Sequence, residues 1–230
     1  MLEQLKQEVF QANIELVHNG LVTLTWGNVS GISRADGLVV IKPSGVNYEM
    51  MKPADMVVVD FDGKVVEGKL HPSSDLPTHL CLYKAFASVG GIAHSHSTYA
   101  TMFAQARREI PCFGTTHADH FSGAIPVTRF LTRKEVAADY ERNTGVIIVG
   151  RFKKLDPVAI PGVLVGGHAP FTWGHDAMDA MKNSLILERI AQIALGSLQL
   201  NPKLRALPEH IQQKHYLRKH GPDAYYGQKK

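Results

Sequence analysis

Apolar residues at Leu5, Val9, Ala12 and Leu16 recur at the spacing of one helix face, and Gly20 offers a C-terminal stop. The pattern then shortens to a β type. Leu21 to Thr25 and Val29 to Ser33 flank the turn Trp26-Gly27-Asn28, Asp36-Gly37 is a hairpin signal, and Leu38 to Ile41 is a short apolar strand. Val57 to Val59 and Lys64 to Val66 flank Asp62-Gly63 in the same way. A helix from about Thr78 to Ser88 leads into a strand through Ile92-Ala93-His94-Ser95-His96-Ser97. Thr132-Arg133-Lys134-Glu135 is a capping box that opens a helix stopping near Gly145. Val146 to Val149 and Val163 to Val165 read as strands, and Asp176 to Leu200 as a long helix closed by Asn201-Pro202. Hairpin strands with helices between their groups predict a three-layer α/β/α sandwich around a mainly antiparallel sheet.

Composition narrows the class. With 230 residues, 44% of them hydrophobic, the chain can build one sizeable core. No Ser/Gly-rich or charge-rich linker divides it, so a single domain over 1–230 is expected. Cys81 and Cys112 lack metal-ligand spacing, and the N-terminus reads as an amphipathic helix rather than a secretory leader. Free thiols in a reducing cytoplasm are expected. No apolar run approaches a membrane span. The net charge of +4 owes much to Lys214, Arg218, Lys219, Lys229 and Lys230. These are scattered, without the aromatic-interleaved stripe of a nucleic-acid binder, so no nucleic-acid partner is expected. They fit a mild field for a small phosphorylated substrate, or simply a solvated basic tail.

The chemistry concentrates in a few segments. His94 and His96 stand two apart on a strand, so their imidazoles leave the same face and can converge on one metal ion. His168 would complete a three-nitrogen site, although a His-x-His pair is also found solvated or packed in a core. Ser73 and Ser74 precede a helix carrying Pro77 in its first turn, which suits either a phosphate cradle or simple capping by Ser74 or Asp75. Gly27-Asn28 and Lys42-Pro43-Ser44-Gly45 are turns of similar character. No nucleotide P-loop pattern occurs. Gly114-Thr115-Thr116-His117-Ala118-Asp119-His120 could serve proton transfer or be a hydrogen-bonded loop. The tail from Lys214 to Gln228, with Tyr225 and Tyr226, is dense in functional groups.

At these residues the chain resembles the L-ribulose-5-phosphate 4-epimerases of the class II aldolase/adducin-like superfamily. The resemblance runs nearly end to end: Thr25 to Ser30, Lys42 to Val46, Pro72 to Asp75, His94 to Ser97, Gly114 to Asp119, and Lys214 to Gln228. It implies that His94, His96 and His168 bind a divalent metal, zinc above manganese or cobalt, with Asp75 as a nearby acidic ligand. It implies that Gly27, Asn28, Lys42, Ser44, Gly45, Ser73 and Ser74 bind substrate, chiefly its phosphate. Asp119 and Tyr226 would be the acid/base pair, reaching a neighbouring subunit's site in a C4 homotetramer, so the tail (about 209–230) would complete the active site. One departure is visible: Gly166-Gly167 stands where family members often have His-Ser before the histidine kept here as His168.

The implied reaction interconverts L-ribulose 5-phosphate and D-xylulose 5-phosphate by breaking and re-forming C3–C4. The alternative is a class II aldolase acting on a fuculose- or rhamnulose-type phosphate. Those aldolases carry glutamate where this chain has Asp75, which favours the epimerase. A catalytically dead scaffold of the adducin type lacks the metal histidines. A cupin-type metalloprotein would want a glutamate a few residues after His-x-His, and Ser97 to Phe103 contains none.

Overall fold

Alternation along the short strands decides the layering. The computed structural model describes residues 2–227. Seven strands, β1 (Asn28–Ser33), β2 (Leu38–Ile41), β3 (Val57–Asp60), β4 (Val65–Glu67), β5 (Gly91–His94), β6 (Gly162–Leu164) and β7 (Pro170–Gly174), form one antiparallel sheet in the order β4-β3-β2-β1-β5-β7-β6. In β2, β3 and β5 the odd and even positions part company. Val39, Ile41, Val57, Val59 and Ile92 enter one core, whereas Val40, Val58 and Ala93 enter a second core on the opposite face. A sheet buried on both faces must carry helices on both, and it does.

The smaller core is closed by α1 (Glu3–His18), through Val9, Ala12 and Leu16, and by the first turns of α6 (Ala177–Leu200). The larger core is closed by α2 (Leu76–Ala85), α3 (Thr98–Gln105), α5 (Arg133–Arg151) and the rest of α6. Two short helices, α4 (Thr115–Ala118) and α7 (Glu209–His220), pack on each other away from the sheet. The architecture is the expected three-layer α/β/α sandwich.

Four local expectations are corrected. Val146 to Val149 is not a strand but the end of α5. Its buried set, Thr144, Gly145, Ile147 and Ile148, has helical spacing, and burial against α2 overrides the β-branched propensity. Gly145 is not a stop either: a Cβ there would lie 2.6 Å from the Cys81 Cβ, so glycine lets α2 and α5 close up. Leu21 to Thr25 is a loop in which Leu24 takes a left-handed backbone (φ 54°), because the chain must turn sharply from α1 into the tight bend at Gly27. The helix expected over 78–88 starts two residues earlier, at Leu76, and ends at Ala85.

The capping box at Thr132 and Glu135 forms as expected, with the Thr132 side chain accepting from the Glu135 N–H. Inside α5 the backbone opens at Asp139 (φ −172°, ψ 96°), and Asp139 Oδ1 accepts from the Arg142 N–H at 3.0 Å. Asp139 therefore caps a restarted helix, and the restart carries Tyr140 and Glu141 to the mouth of the main cleft.

Candidate metal centre and phosphate cradle

Strand register builds the metal centre. Asn28 pairs with His94 across β1 and β5, and His94 pairs with Phe171 across β5 and β7. The His94 imidazole stacks on the Phe171 ring, with centroids 4.1 Å apart and planes 18° apart. Its Nδ1–H donates to the Pro170 carbonyl at 2.9 Å, which fixes the tautomer and leaves Nε2 as the free lone pair. His94 Nε2 lies 3.2 Å from His96 Nε2, so both rings aim at one point. His168 joins them from the loop between β6 and β7, and ligand atoms of all three histidines lie within 4.8 Å of one another.

The strand itself ends at His94, and His96 sits in the following extended segment before α3. Helix α6 holds that segment. The buried Glu188 carboxylate accepts from the Tyr99 and Ala100 N–H groups, each at 2.9 Å, and so supplies the N-terminal cap that Ser97 does not. Ser95 Oγ, on the opposite side from the two rings, lies 3.3 Å from Ser184 Oγ on α6.

The donor set fits a divalent metal. Burial and the neighbouring His94 push His96 down to about 4 and His168 down to about 3, so both are neutral ligands at neutral pH. His168 Nδ1 is buried without a hydrogen-bond partner among the described residues. Asp75 Oδ2 lies 4.0 Å from His94 Nε2 and accepts from Asn28 Nδ2 at 2.7 Å. Burial opposes ionisation of Asp75, but the imidazoles of His94 and His79 and the Asn28 amide outweigh it and hold the carboxyl below its usual range.

Gly166 and Gly167 are explained by space. A Cβ on Gly166 would meet the Thr128 carbonyl at 2.7 Å, and one on Gly167, where φ is +75°, would meet the Phe130 ring at 2.6 Å. Both glycines are thus packing features of the loop that delivers His168.

Around this centre opens a cleft of about 580 Å³. Gly27, Asn28, Lys42, Ser44, Gly45, Ser73, Ser74, Asp75, His94, His96 and His168 all line it. One end of it is made by two loops zipped together: the Ser44 N–H donates to the His71 carbonyl and the Ser73 N–H to the Lys42 carbonyl, both at 2.9 Å. Neither Ser74 nor Asp75 caps α2 with its side chain, so the simple capping reading fails. Lys42 is 2% exposed, and among the described residues no carboxylate lies within ion-pair distance of it. Burial pulls its ammonium down to about 8, which leaves it mostly charged at neutral pH. A buried cation beside two serines, with no carboxylate partner among the described residues, is an arrangement that suits an anionic ligand. The Asn28 Oδ1 acceptor is also buried and has no partner among the described residues.

Tyr140 and Glu141 line the same cleft and were not anticipated. The Tyr140 ring centroid is 6.2 Å from that of His168. No motif marks them, since they stand in a polar stretch of α5, and only the Asp139 break in the helix would have hinted at them.

Asp119 and Tyr226 do not line this cleft. Asp119, at the end of α4, accepts from Arg218 Nε at 2.9 Å and Arg218 Nη2 at 2.7 Å, and lies 3.1 Å from His215 Nδ1. Burial pushes this carboxyl up, but Arg218, His215 and Lys219 outweigh it and hold it below the usual range. The Tyr226 ring lies 4.8 Å from the Arg218 guanidinium and 4.4 Å from Lys219 Nζ. The structure therefore gathers Asp119 and Tyr226 on one patch, joined through Arg218. Gln228 and the two residues after it lie outside the described residues.

Comparison with known proteins bears on the fold and the family. Residues 7–195 match the family model of the class II aldolase and adducin N-terminal domain. The chain is 54% identical over 228 residues to L-ribulose-5-phosphate 4-epimerase UlaF of Salmonella paratyphi B, covering 99% of this chain and 100% of that one. The Salmonella typhi protein of the same name is also 54% identical over the same span. Among solved structures, an L-fuculose 1-phosphate aldolase superposes with a TM-score of 0.78 at 28% identity, over 92% of this chain and 94% of that one. YgbL of Klebsiella pneumoniae, described as a putative aldolase/epimerase/decarboxylase, gives 0.74 at 24% identity over 93% and 99%. The three-histidine cleft on this sheet and the match over most of its length place the chain in the class II aldolase and adducin family.

Proposed function

We propose that the chain is an L-ribulose-5-phosphate 4-epimerase, interconverting L-ribulose 5-phosphate and D-xylulose 5-phosphate. The observation that carries this reading is the union, in one cleft, of a three-histidine centre with a buried Lys42, which has no carboxylate partner among the described residues, and the Ser44 and Ser73-Ser74 turns. Full-length identity of 54% to proteins of that name supports the epimerase over an aldolase of similar fold.

The C4 hydrogen of a ketopentose is not α to the C2 carbonyl, so inversion by direct proton removal is unfavourable. Cleaving C3–C4 avoids the problem. A divalent cation held by His94, His96 and His168 with Asp75 nearby would supply Lewis-acid stabilisation for the three-carbon enediolate fragment. Imidazole and carboxylate donors favour zinc and also admit manganese or cobalt.

The chain's own groups do the rest. Lys42, Ser44, Ser73 and Ser74 grip the phosphate, so the two-carbon aldehyde stays bound while it turns its other face to C3. Asn28 Oδ1 is free to accept from a substrate hydroxyl, while its amide holds Asp75. Asp119 and Tyr226 of an adjacent copy would handle the proton on the C4 oxygen, one taking it as C3–C4 breaks and the other returning it to the opposite face. That assignment favours an assembly of four copies with sites between neighbours, in the cytoplasm where sugar phosphates are found. Among the described residues no helix is long and apolar enough to cross a membrane.

Purified protein should convert L-ribulose 5-phosphate to D-xylulose 5-phosphate in a coupled assay, lose that activity to a chelator, and regain it on addition of a divalent metal. Turnover unaffected by complete metal removal would overturn the reading.

A further inference from the structure

We propose that Tyr48 is a positioning residue for the phosphate, tying the Gly27-Asn28 turn to Lys42 so that both walls of the cradle keep their spacing. The inference rests on the phosphate reading of the cleft given above. Tyr48 itself does not line the cleft. It is 4% exposed, and its ring belongs to the smaller core with Met51 and Met56.

Two contacts point the same way. The Tyr48 hydroxyl donates to the Gly27 carbonyl at 2.8 Å, and Lys42 Nζ lies 4.6 Å from the Tyr48 ring centroid. Gly27 belongs to the entry of β1 and Lys42 to the exit of β2, so one side chain touches both turns. Gly27 has little freedom. Its φ is +107°, and a Cβ there would meet the His94 carbonyl at 2.8 Å. The hydroxyl holds the turn that carries Asn28, whose strand pairs with the one that carries His94.

Lys42 needs the ring for a different reason. Its ammonium donates to the Pro43 carbonyl at 3.2 Å, which neutralises no charge. The negative face of the Tyr48 ring offsets part of the cost of burying the ammonium before an anion arrives. Burial raises the phenol well above its ordinary range, so the hydroxyl remains a donor throughout the working pH.

The test uses the metal-loaded, full-length protein and two probes, L-ribulose 5-phosphate and inorganic phosphate as a competitive inhibitor. Tyr48→Phe keeps the ring and removes the clamp. It should raise KM and the inhibition constant of phosphate together, by roughly three- to tenfold for one lost hydrogen bond, with kcat, metal content and Tm near wild type. Tyr48→Leu also removes the ring face and should weaken phosphate further. Unchanged phosphate inhibition in Tyr48→Phe would overturn the positioning role, as would a fall in kcat and metal content with KM preserved. A wild-type enzyme that turns over the sugar yet ignores inorganic phosphate at every accessible concentration would overturn the phosphate reading itself.

Discussion

Asp119 shows how much a single residue's surroundings say about its use. A carboxylate held by two Arg218 nitrogens and His215 is oriented and ionised, not a surface charge that happens to be paired. Because it titrates below the unfolded value of about 3.9, its stabilising contribution is present at neutral pH and is lost as pH falls through the lowered folded value. Arg218→Gln removes the strongest charged partner, so the acidic limb of kcat/KM should move to higher pH. Measured pH–rate profiles that superpose for the two proteins would mean that Arg218 does not tune Asp119. Asp119→Asn should keep its metal content and lose roughly 10² to 10⁴ in turnover, the usual scale for a general acid or base.

At the scale of elements, the metal centre depends on three that carry no ligand. Helix α6 caps α3 through Glu188 and steadies the segment bearing His96. Glu188→Gln retains one acceptor but loses the charge, and should cost roughly 1–3 kcal/mol in urea denaturation, with weaker metal retention on dialysis. An unchanged midpoint with full metal retention would show the cap to be dispensable. Strand β7 supplies Phe171 beneath His94, and the interrupted α5 supplies Tyr140 and Glu141.

These supporting elements are where the sequence was hardest to read. The paired His94 and His96, the glycine- and serine-bearing turns and the capping box are legible because spacing and turn chemistry are local. β7 was not, since Pro170 at its first position and the aromatic Phe171 and Trp173 give no clear alternation with a polar face. Val146 to Val149 misled because a continuous β-branched run fits a buried strand or a buried helix equally well, and only packing on α2 decides. Tyr140 and Glu141 depend on a helix break that is set by Asp139 capping its own downstream turn.

At the scale of the whole molecule, one chain gathers the three histidines and their cleft at one place and collects Asp119, Arg218 and Tyr226 at another. If sites form between neighbours in a closed ring, two defective chains can repair each other. His96→Asn and Asp119→Asn are each expected to be nearly inactive. Coexpressed in equal amounts, they should recover roughly a quarter of wild-type activity, because a site is whole only when each neighbour contributes its intact half. No recovery in verified mixed oligomers would place the acid/base pair elsewhere.

The fold is shared with an L-fuculose 1-phosphate aldolase, so the central claim turns on what happens to the fragments after C3–C4 breaks. The decisive measurement is ¹³C NMR of labelled L-ribulose 5-phosphate turning over on the metal-loaded protein. Signals of D-xylulose 5-phosphate growing to equilibrium, with little free dihydroxyacetone or glycolaldehyde phosphate, are the predicted result. Fragments that accumulate in place of the epimer would contradict it and make the protein an aldolase.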